Sequence, residues 1–149
     1  MRGNARLCVL ALMEQGSAVA IIVAAPDPSF MPIQSYRDLF VWQKTFDLAF
    51  DVYQLTRTFP RDERFGMTAQ VRRAAMSISN NIAEGHGRAT RGEFLNSLSI
   101  ARGSANETEN CLLLSQRLEF ASVMSVQPML TDINQILRML AKLRSRLRE

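Results

Sequence analysis

The feature that most constrains the fold is the three- and four-residue spacing of apolar side chains, which recurs from residue 36 to the C-terminus. Glycine and proline are scarce after Pro60, so the second half of the chain has few places to turn. Apolar residues at this spacing form a stripe on one side of an α-helix, whereas a half-buried strand alternates at every second residue. The pattern therefore predicts long α-helices.

Four helices can be separated in this region. The first is predicted from Tyr36 to Arg57, the second from about Asp62 to Glu84, the third from Thr90 to near Leu118, and the fourth over the stripe from Leu130 to Leu147. Short connections between successive long helices imply antiparallel neighbours. The predicted fold is all-α, an antiparallel up-down-up-down four-helix bundle covering residues 35–149.

Four local signals place the helix ends. Pro60 disfavours helical geometry at the residue before it and so ends helix one. Gly85 is expected to close helix two in the left-handed conformation. Thr90 and Glu93 have the spacing of a capping box at the start of helix three, and Pro128 fits the first turn of helix four, where a missing amide costs no hydrogen bond.

Helix one carries two apolar stripes. The first consists of Leu39, Trp42, Phe46, Ala49 and Tyr53, and the second of Val41, Leu48, Val52 and Leu55. A helix of a four-helix bundle normally buries one face. The surplus stripe is therefore expected either to mediate self-association or to be wrapped inside a thicker core, and the sequence leaves both open.

Residues 1–34 are predicted to lie outside the bundle. They combine a basic start with two apolar runs, neither of which approaches the roughly 20 residues needed to span a bilayer. The helical pattern begins just after Met31, so we interpret the segment as an over-called start or a dispensable extension. A signal peptide and a functional arm are the alternatives.

Composition limits the function classes. A chain of 149 residues is one domain by length. The net charge of +4 and the pI near 9.7 favour an acidic partner, nucleic acid or anionic membrane, more than in an average domain, and a basic protein without such a partner is the equal alternative. Two cysteines, without a CxxC spacing, do not form a disulfide framework, so we expect a reducing compartment. Cys111 lies in an apolar run and is expected to be a core residue.

Neither catalytic nor metal-binding chemistry is predicted. His86 is the single histidine, lies between two glycines and has no neighbouring cysteine, so it lacks the partner that nucleophilic catalysis needs. The sequence has no HExxH motif and no Glu-x-x-His pair, and Gly85 and Gly87 are not followed by the GK[ST] ending of a phosphate loop. We therefore predict a non-enzymatic protein without a cofactor.

Glu84 and Glu107 lie among small or apolar residues, where an unpaired carboxylate would be costly to bury. We predict that they belong, with Asn81, to a buried structural polar cluster neutralised by a nearby arginine. Arg73, Arg88 and Arg102 are available for this. Acid–base chemistry by the two carboxylates is the less favoured alternative.

Positive charge is the remaining functional signal. The candidate nucleic-acid-binding residues lie in helix two, in the following connection and on helix four: Arg72, Arg73, Arg88, Arg91, Arg138, Lys142, Arg144, Arg146 and Arg148. The helix dipole also favours cations near a C-terminus, which is the structural explanation for some of them. No aromatic stacking platform is predicted, because Tyr36, Trp42 and Tyr53 are assigned to core or interface packing.

Four sequence segments carry a resemblance to a known family: "DLFVWQK", "FP" at 59–60, "QVRRAAMSISNNIAEGHGR" and "IARGSANETE". With them the chain resembles the four-helix-bundle family first noted as proteins encoded in intervening sequences of bacterial 23S ribosomal RNA. That family is in turn similar to the accessory variability protein of diversity-generating retroelements. The resemblance covers the chain from about Tyr36 onwards.

The resemblance implies a cytosolic, non-enzymatic bundle that assembles as a homo-pentamer and binds RNA or DNA with little sequence preference. In retroelement members it also implies a reverse transcriptase as protein partner, and no membrane is involved. The competing hypothesis from the residues is a protein-interaction scaffold that docks a partner through the surplus apolar face of helix one.

Overall fold

The structure is a computed structural model that describes residues 7–14, 17–24 and 34–149. The chain divides into two units, residues 1–32 and 33–149. The second unit contains four α-helices: α1 (Phe40–Leu55), α2 (Met67–His86), α3 (Arg91–Arg117) and α4 (Val123–Arg146). The prediction of an all-α helical bundle is confirmed for this unit.

The first unit contains a two-stranded antiparallel sheet. Strands β1 (Leu7–Glu14) and β2 (Ser17–Ala24) correspond to the two apolar runs of the N-terminal segment. The sequence led to no prediction of secondary structure for these runs. Their register runs from Leu7 opposite Ala24 to Glu14 opposite Ser17. The interpretation of Met31 as the start of the domain lies outside the described residues.

Successive helices run antiparallel. The connection between α2 and α3, residues 87–90, is too short to cross the bundle, and Ser77 meets Ser104 midway along both helices with 2.8 Å between their hydroxyl oxygens. The bundle closes where Lys44 Nζ on α1 lies 2.6 Å from Asp132 Oδ1 on α4. The C-terminus of α4 therefore lies at the same end of the bundle as residues 87–90, and residues 56–66 lie at the opposite end.

The core is formed by aliphatic side chains from all four helices. Eleven valine, leucine and isoleucine side chains are almost completely buried: Leu48, Val52, Val71, Ile78, Ile82, Leu98, Leu112, Val126, Ile133, Ile136 and Leu140. Each side chain of this kind contributes on the order of 1.5–3 kcal/mol on burial. Cys111 is buried among them, as predicted, and burial raises the pKa of its thiol.

The second stripe of helix one enters this core, and the first stripe enters it in part, through Leu39 and Ala49. Val41, Leu48 and Val52 are buried, whereas Phe46 of the first stripe is 56% exposed and Tyr53 is also exposed. The first stripe is therefore divided, because Leu39 and Ala49 are covered by the core whereas Phe46 and Tyr53 stay exposed.

Helix two begins five residues later than predicted. A short 3-10 helix covers Arg61–Arg64, and α2 begins at Met67. The backbone of Gly66, with φ −93° and ψ −118°, separates the two elements. Glu63 compensates by accepting a 2.8 Å hydrogen bond from the Met67 amide, so one free amide of the first turn of α2 is satisfied.

Gly85 does not adopt the left-handed conformation expected of it. It lies buried within α2, which continues to His86 and is capped by Gly87 at φ −83°. A Cβ at Gly85 would lie 2.6 Å from Ser97 Cβ and 2.7 Å from Phe94 Cδ2. The glycine is needed because α2 and α3 approach closely there, and not for a turn.

At the start of α3 the predicted cap is confirmed, whereas at the start of α4 the predicted position of the proline is wrong. Thr90 and Glu93 form the predicted capping box. Pro128, however, lies in the second turn of α4, because that helix begins after Ser122, whose hydroxyl accepts from the amide of Ser125 at 3.1 Å. The ring of Pro128 therefore removes one internal helix hydrogen bond.

Among the described residues, no helix is both long enough and apolar enough to cross a lipid bilayer.

The close approach at Gly85 generates a prediction. Gly85→Ala is expected to lower the free energy of unfolding by about 1–3 kcal/mol, because the added methyl group overpacks the α2–α3 contact. Urea unfolding followed by circular dichroism measures this. The matched control is Gly103→Ala, which meets no atom within 4 Å and should instead stabilise α3 by about 0.5–1 kcal/mol. Equal effects of the two substitutions would contradict the assignment.

Candidate functional site

The predicted basic residues fall into two groups at opposite ends of the bundle. Seven lie where the 87–90 connection meets the C-terminal turns of α4, and we call these seven residues the basic end: Arg88, Arg91, Arg138, Lys142, Arg144, Arg146 and Arg148. Arg72 and Arg73 lie near the start of α2, at the other end. The fold therefore does not unite the nine candidates into one surface.

The basic end is open to solvent. Six of its seven side chains are exposed, and Arg144 is half-buried. The buried Nε of Arg144 has no hydrogen-bond partner among the described residues. A buried donor left unpaired costs free energy.

Two carboxylates near the basic end are already engaged within the chain. Glu84 pairs with Arg88 one turn along. Glu93 accepts from the hydroxyl and the amide of Thr90, at 2.7 and 3.2 Å, and these hydrogen bonds hold the pKa of Glu93 below its usual value. The Glu93 carboxylate is therefore held in the helix cap, and within the described part of the chain Arg88 is the only one of the seven cations paired with a carboxylate.

The predicted burial of Glu84 and Glu107 is wrong, because both side chains are exposed. The small residues beside them in the sequence face the contact between α2 and α3, and helix neighbours one position apart point in different directions. Glu84 has the arginine partner expected of it, Arg88. The side chains nevertheless form no buried cluster.

Glu107 and Asn81 take part in separate hydrogen-bond networks. Gln70 donates to Glu107 and accepts from Arg73, so the expected arginine acts through a glutamine. Asn81 Nδ2 instead donates to the carbonyl oxygen of Ser77 on its own helix, at 2.7 Å. The first network joins α2 to α3 directly, and the second reaches α3 through Ser77 Oγ, to which Asn81 Nδ2 also donates at 3.0 Å.

Arg72 is held in place by groups that its sequence position did not reveal. Its Nε donates a 2.7 Å hydrogen bond to Thr56 Oγ1, and its guanidinium lies 4.6 Å from the centre of the Tyr53 ring. Thr56 is itself fixed by a 2.8 Å bond to the carbonyl oxygen of Val52. These contacts orient the guanidinium without neutralising it.

A second aromatic residue lies beside Arg72. Phe65 is 86% exposed, and the guanidinium of Arg64 lies 5.4 Å from its ring centre. Two adjoining depressions of about 600 and 620 Å³ share Arg64, Phe65 and Arg72 in their walls. We call the following residues the arginine–aromatic surface: Tyr53, Arg57, Arg61, Arg64, Phe65, Arg72 and Arg73.

Sequence analysis missed this surface for two reasons. It assigned Tyr53 to packing, and it included Phe65 in a helix that in fact begins two residues later. The available signal was local: Arg57, Arg61 and Arg64 precede a phenylalanine that occupies no position of an apolar stripe.

The outer face of α1 is a separate, apolar feature. We define it as Phe46, Phe50 and Tyr53, with Met76 of α2 across a depression of about 600 Å³. Phe50 is 61% exposed, and the ring of Phe46 stacks on Trp42 with 5.1 Å between centroids. Phe46, Phe50 and Tyr53 are thus aromatic residues of α1 that the bundle leaves exposed, as it does Phe40 at the start of the helix.

The opposite side of α1 carries acidic groups. Partial burial, and then the charges of Asp132 and Asp47, raise the pKa of Asp51 above its ordinary value of 3.8. Lys44 pairs with Asp132 and not with Asp51. Ionised Asp51 therefore opposes folding at neutral pH.

The side chains usual in catalysis and metal binding are not gathered in one place. His86 ends α2 and meets the ring of Phe94 edge-on, with 6.1 Å between centroids. In the parts of the chain that the structure describes, no three histidine, cysteine, aspartate or glutamate side chains come close enough to hold a metal ion.

The raised pKa of Asp51 generates a second prediction. Asp51→Asn is expected to raise the urea midpoint at about pH 7, because it removes a charge that the folded state disfavours. The gain should shrink as the pH falls through the raised pKa and vanish below 3.8, where the parent carboxyl is protonated in both states. Asp51→Glu keeps the charge and is the control. A gain that persists at low pH would contradict the electrostatic cause.

Comparison with known proteins identifies a family and related solved structures. The model of a family described as 23S rRNA-intervening sequence protein matches residues 37–142. A crystal structure from Bacteroides thetaiotaomicron VPI-5482, described as a protein with unknown function from the S23 ribosomal protein family, is 29% identical with a TM-score of 0.66. The match covers 70% of this chain and 95% of that chain. No curated protein sequence matches significantly.

Proposed function

Since the chain belongs to the family of 23S rRNA-intervening sequence proteins, we propose that it is a non-enzymatic, cytoplasmic protein that binds RNA or DNA through its basic end. The observation that carries this proposal is the placement of seven basic side chains from the 87–90 connection, α3 and α4 at one end of the bundle. Contacts of this kind reach phosphates and carry little sequence information.

The helix dipole does not account for this arrangement. Its effect is confined to the last turn of a helix, and α4 ends at Arg146. Arg138 and Lys142 lie one to two turns earlier, where the dipole gives little stabilisation. They are exposed on the same face as Arg146, at the spacing that makes helix residues neighbours.

Two backbone and side-chain features favour an anion at the same end. The first amides of α3 begin at Arg91, and free amides of a helix N-terminus attract negative charge. The half-buried guanidinium of Arg144 adds a positive charge at this end.

The test is a binding titration of labelled RNA and DNA duplexes at several salt concentrations. Neutralising Lys142, Arg146 and Arg148 to glutamine is expected to weaken binding of every sequence alike and to reduce the log–log salt slope by about 0.9 for each lost phosphate contact on DNA. Arg102→Gln and Arg117→Gln, on exposed positions of α3, are the controls. Absence of binding by the parent at about 50 mM salt would end the proposal.

A second proposal is self-association through the outer face of α1. Phe46 and Phe50 are more than half exposed, and large apolar side chains grouped on one helix face mark an interaction surface. We propose a second copy of this chain as the occupant, in a homo-pentamer as the sequence resemblance implies. Docking of a different protein is the alternative.

Phe46→Glu and Phe50→Glu together are expected to leave the fold intact and to produce monomers, because charges on both partners would face each other across the interface. Light scattering coupled to gel filtration measures the mass. Met124→Glu, at a still more exposed apolar position on α4, is the control and should keep the parent's mass. A monomeric parent protein would overturn the assembly proposal.

The similarity to retroelement accessory proteins, and with it a reverse transcriptase partner, stays a prediction. A reverse transcriptase gene beside the gene for this chain, followed by co-purification of the two proteins, is the supporting result.

A further inference from the structure

Resting on the proposed nucleic-acid binding, we propose that the arginine–aromatic surface is a second site, specific for single strands, in which an unpaired base stacks on Phe65. The adjoining phosphates are bound by Arg57, Arg61 and Arg64. This site lies at the end of the bundle opposite the basic end.

The exposure of Phe65 is the first observation behind this site. Its ring is 86% exposed, although the chain buries Phe59, six residues earlier, against Phe120. A lone exposed apolar residue needs no explanation. Phe65, however, forms a wall of two adjoining depressions, so its ring lies in a concave setting suited to a planar ligand.

The arginines around the ring are the second observation. Arg64 lies over Phe65, and Arg57 and Arg61 line the same depression of about 600 Å³. Proteins that bind single strands combine an aromatic stacking surface with cations that follow the backbone. Both elements are present here within ten residues of sequence.

Pre-organisation is the third observation. Arg72 is fixed between the Thr56 hydroxyl and the Tyr53 ring, and these contacts leave its charge unneutralised. The nearby carboxylate of Glu63 is occupied by the amide of Met67. A guanidinium already held in position loses less conformational entropy when it binds a phosphate.

The chemistry selects single strands over duplexes. In a duplex the faces of the bases are covered by their neighbours, and exposing one requires the base to be unstacked. An exposed ring therefore adds binding energy only for an unpaired base. The basic end, which is defined by cations alone, is expected to bind both forms.

The experiment compares the full-length parent with Phe65→Ala by fluorescence anisotropy. The probes are oligo(U) and oligo(dT) of about 12 nucleotides, a length within the range of single-strand sites, and a DNA duplex of equal length. Phe65→Ala is expected to weaken single-strand binding roughly 5- to 150-fold, the loss that corresponds to one stacked base. Duplex binding should stay unchanged.

Two further variants make the test specific to stacking. Phe65→Trp is expected to retain single-strand binding, because it keeps an aromatic face. Phe40→Ala removes a comparably exposed ring at the other end of the bundle and should have no effect. If Phe65→Ala weakens the binding of oligo(U) alone, RNA is the ligand. If it weakens the binding of oligo(U) and oligo(dT) equally, the site binds the base and the phosphate and does not distinguish ribose from deoxyribose.

The outcomes separate this inference from the proposed function. If the parent binds the duplex, and Phe65→Ala either changes nothing or weakens duplex and single strand equally, the single-strand site is overturned while nucleic-acid binding at the basic end stands. If the parent binds none of the probes, both proposals fail.

Discussion

The close contact between α2 and α3 is the constraint on which the rest of the structure depends. Gly85 lets the two backbones approach, and Ser77 and Ser104 meet across the same contact with 2.8 Å between their oxygens. Because the helices are close and the connection between them is short, residues 87–90 are held at the end of the bundle. Arg88 and Arg91 are thereby brought to the end of the bundle where α4 ends. The position of the basic end therefore depends on the small residues at the contact between α2 and α3.

Helix α1 has a different role, because one side of it packs in the core and its outer face forms part of the surface proposed to mediate binding. Its buried stripe, represented by Leu48 and Val52, contributes to the core. Its outer face presents Phe46 and Phe50, and the same face ends at Tyr53, against which Arg72 packs. The apolar face and the arginine–aromatic surface are therefore continuous, and assembly through one would place arginines of several copies near each other.

Local features of the fold could be predicted from the sequence, and long-range ones could not. The capping box of Thr90 and Glu93 was predictable because its groups are three residues apart. The role of Gly85 depends on Phe94 and Ser97 of another helix, and the exposure of Glu107 depends on how α2 and α3 are rotated. Periodicity also treats the two stripes of α1 alike, since only the neighbouring helices decide which of them is buried.

The same limitation explains why the candidate site divided into two. Arginines were grouped by charge in the sequence, but Arg72 and the end of α2 at His86 are separated by more than about 20 Å at 1.5 Å per residue. The chain carries a net charge of only +4, so neither end alone generates a strong long-range field. If several copies assemble, each further contact with the same strand becomes intramolecular and raises the apparent affinity without any new interaction. The assembly proposed for the outer face of α1 would therefore reconcile a modest charge with tight binding at the two proposed nucleic-acid sites.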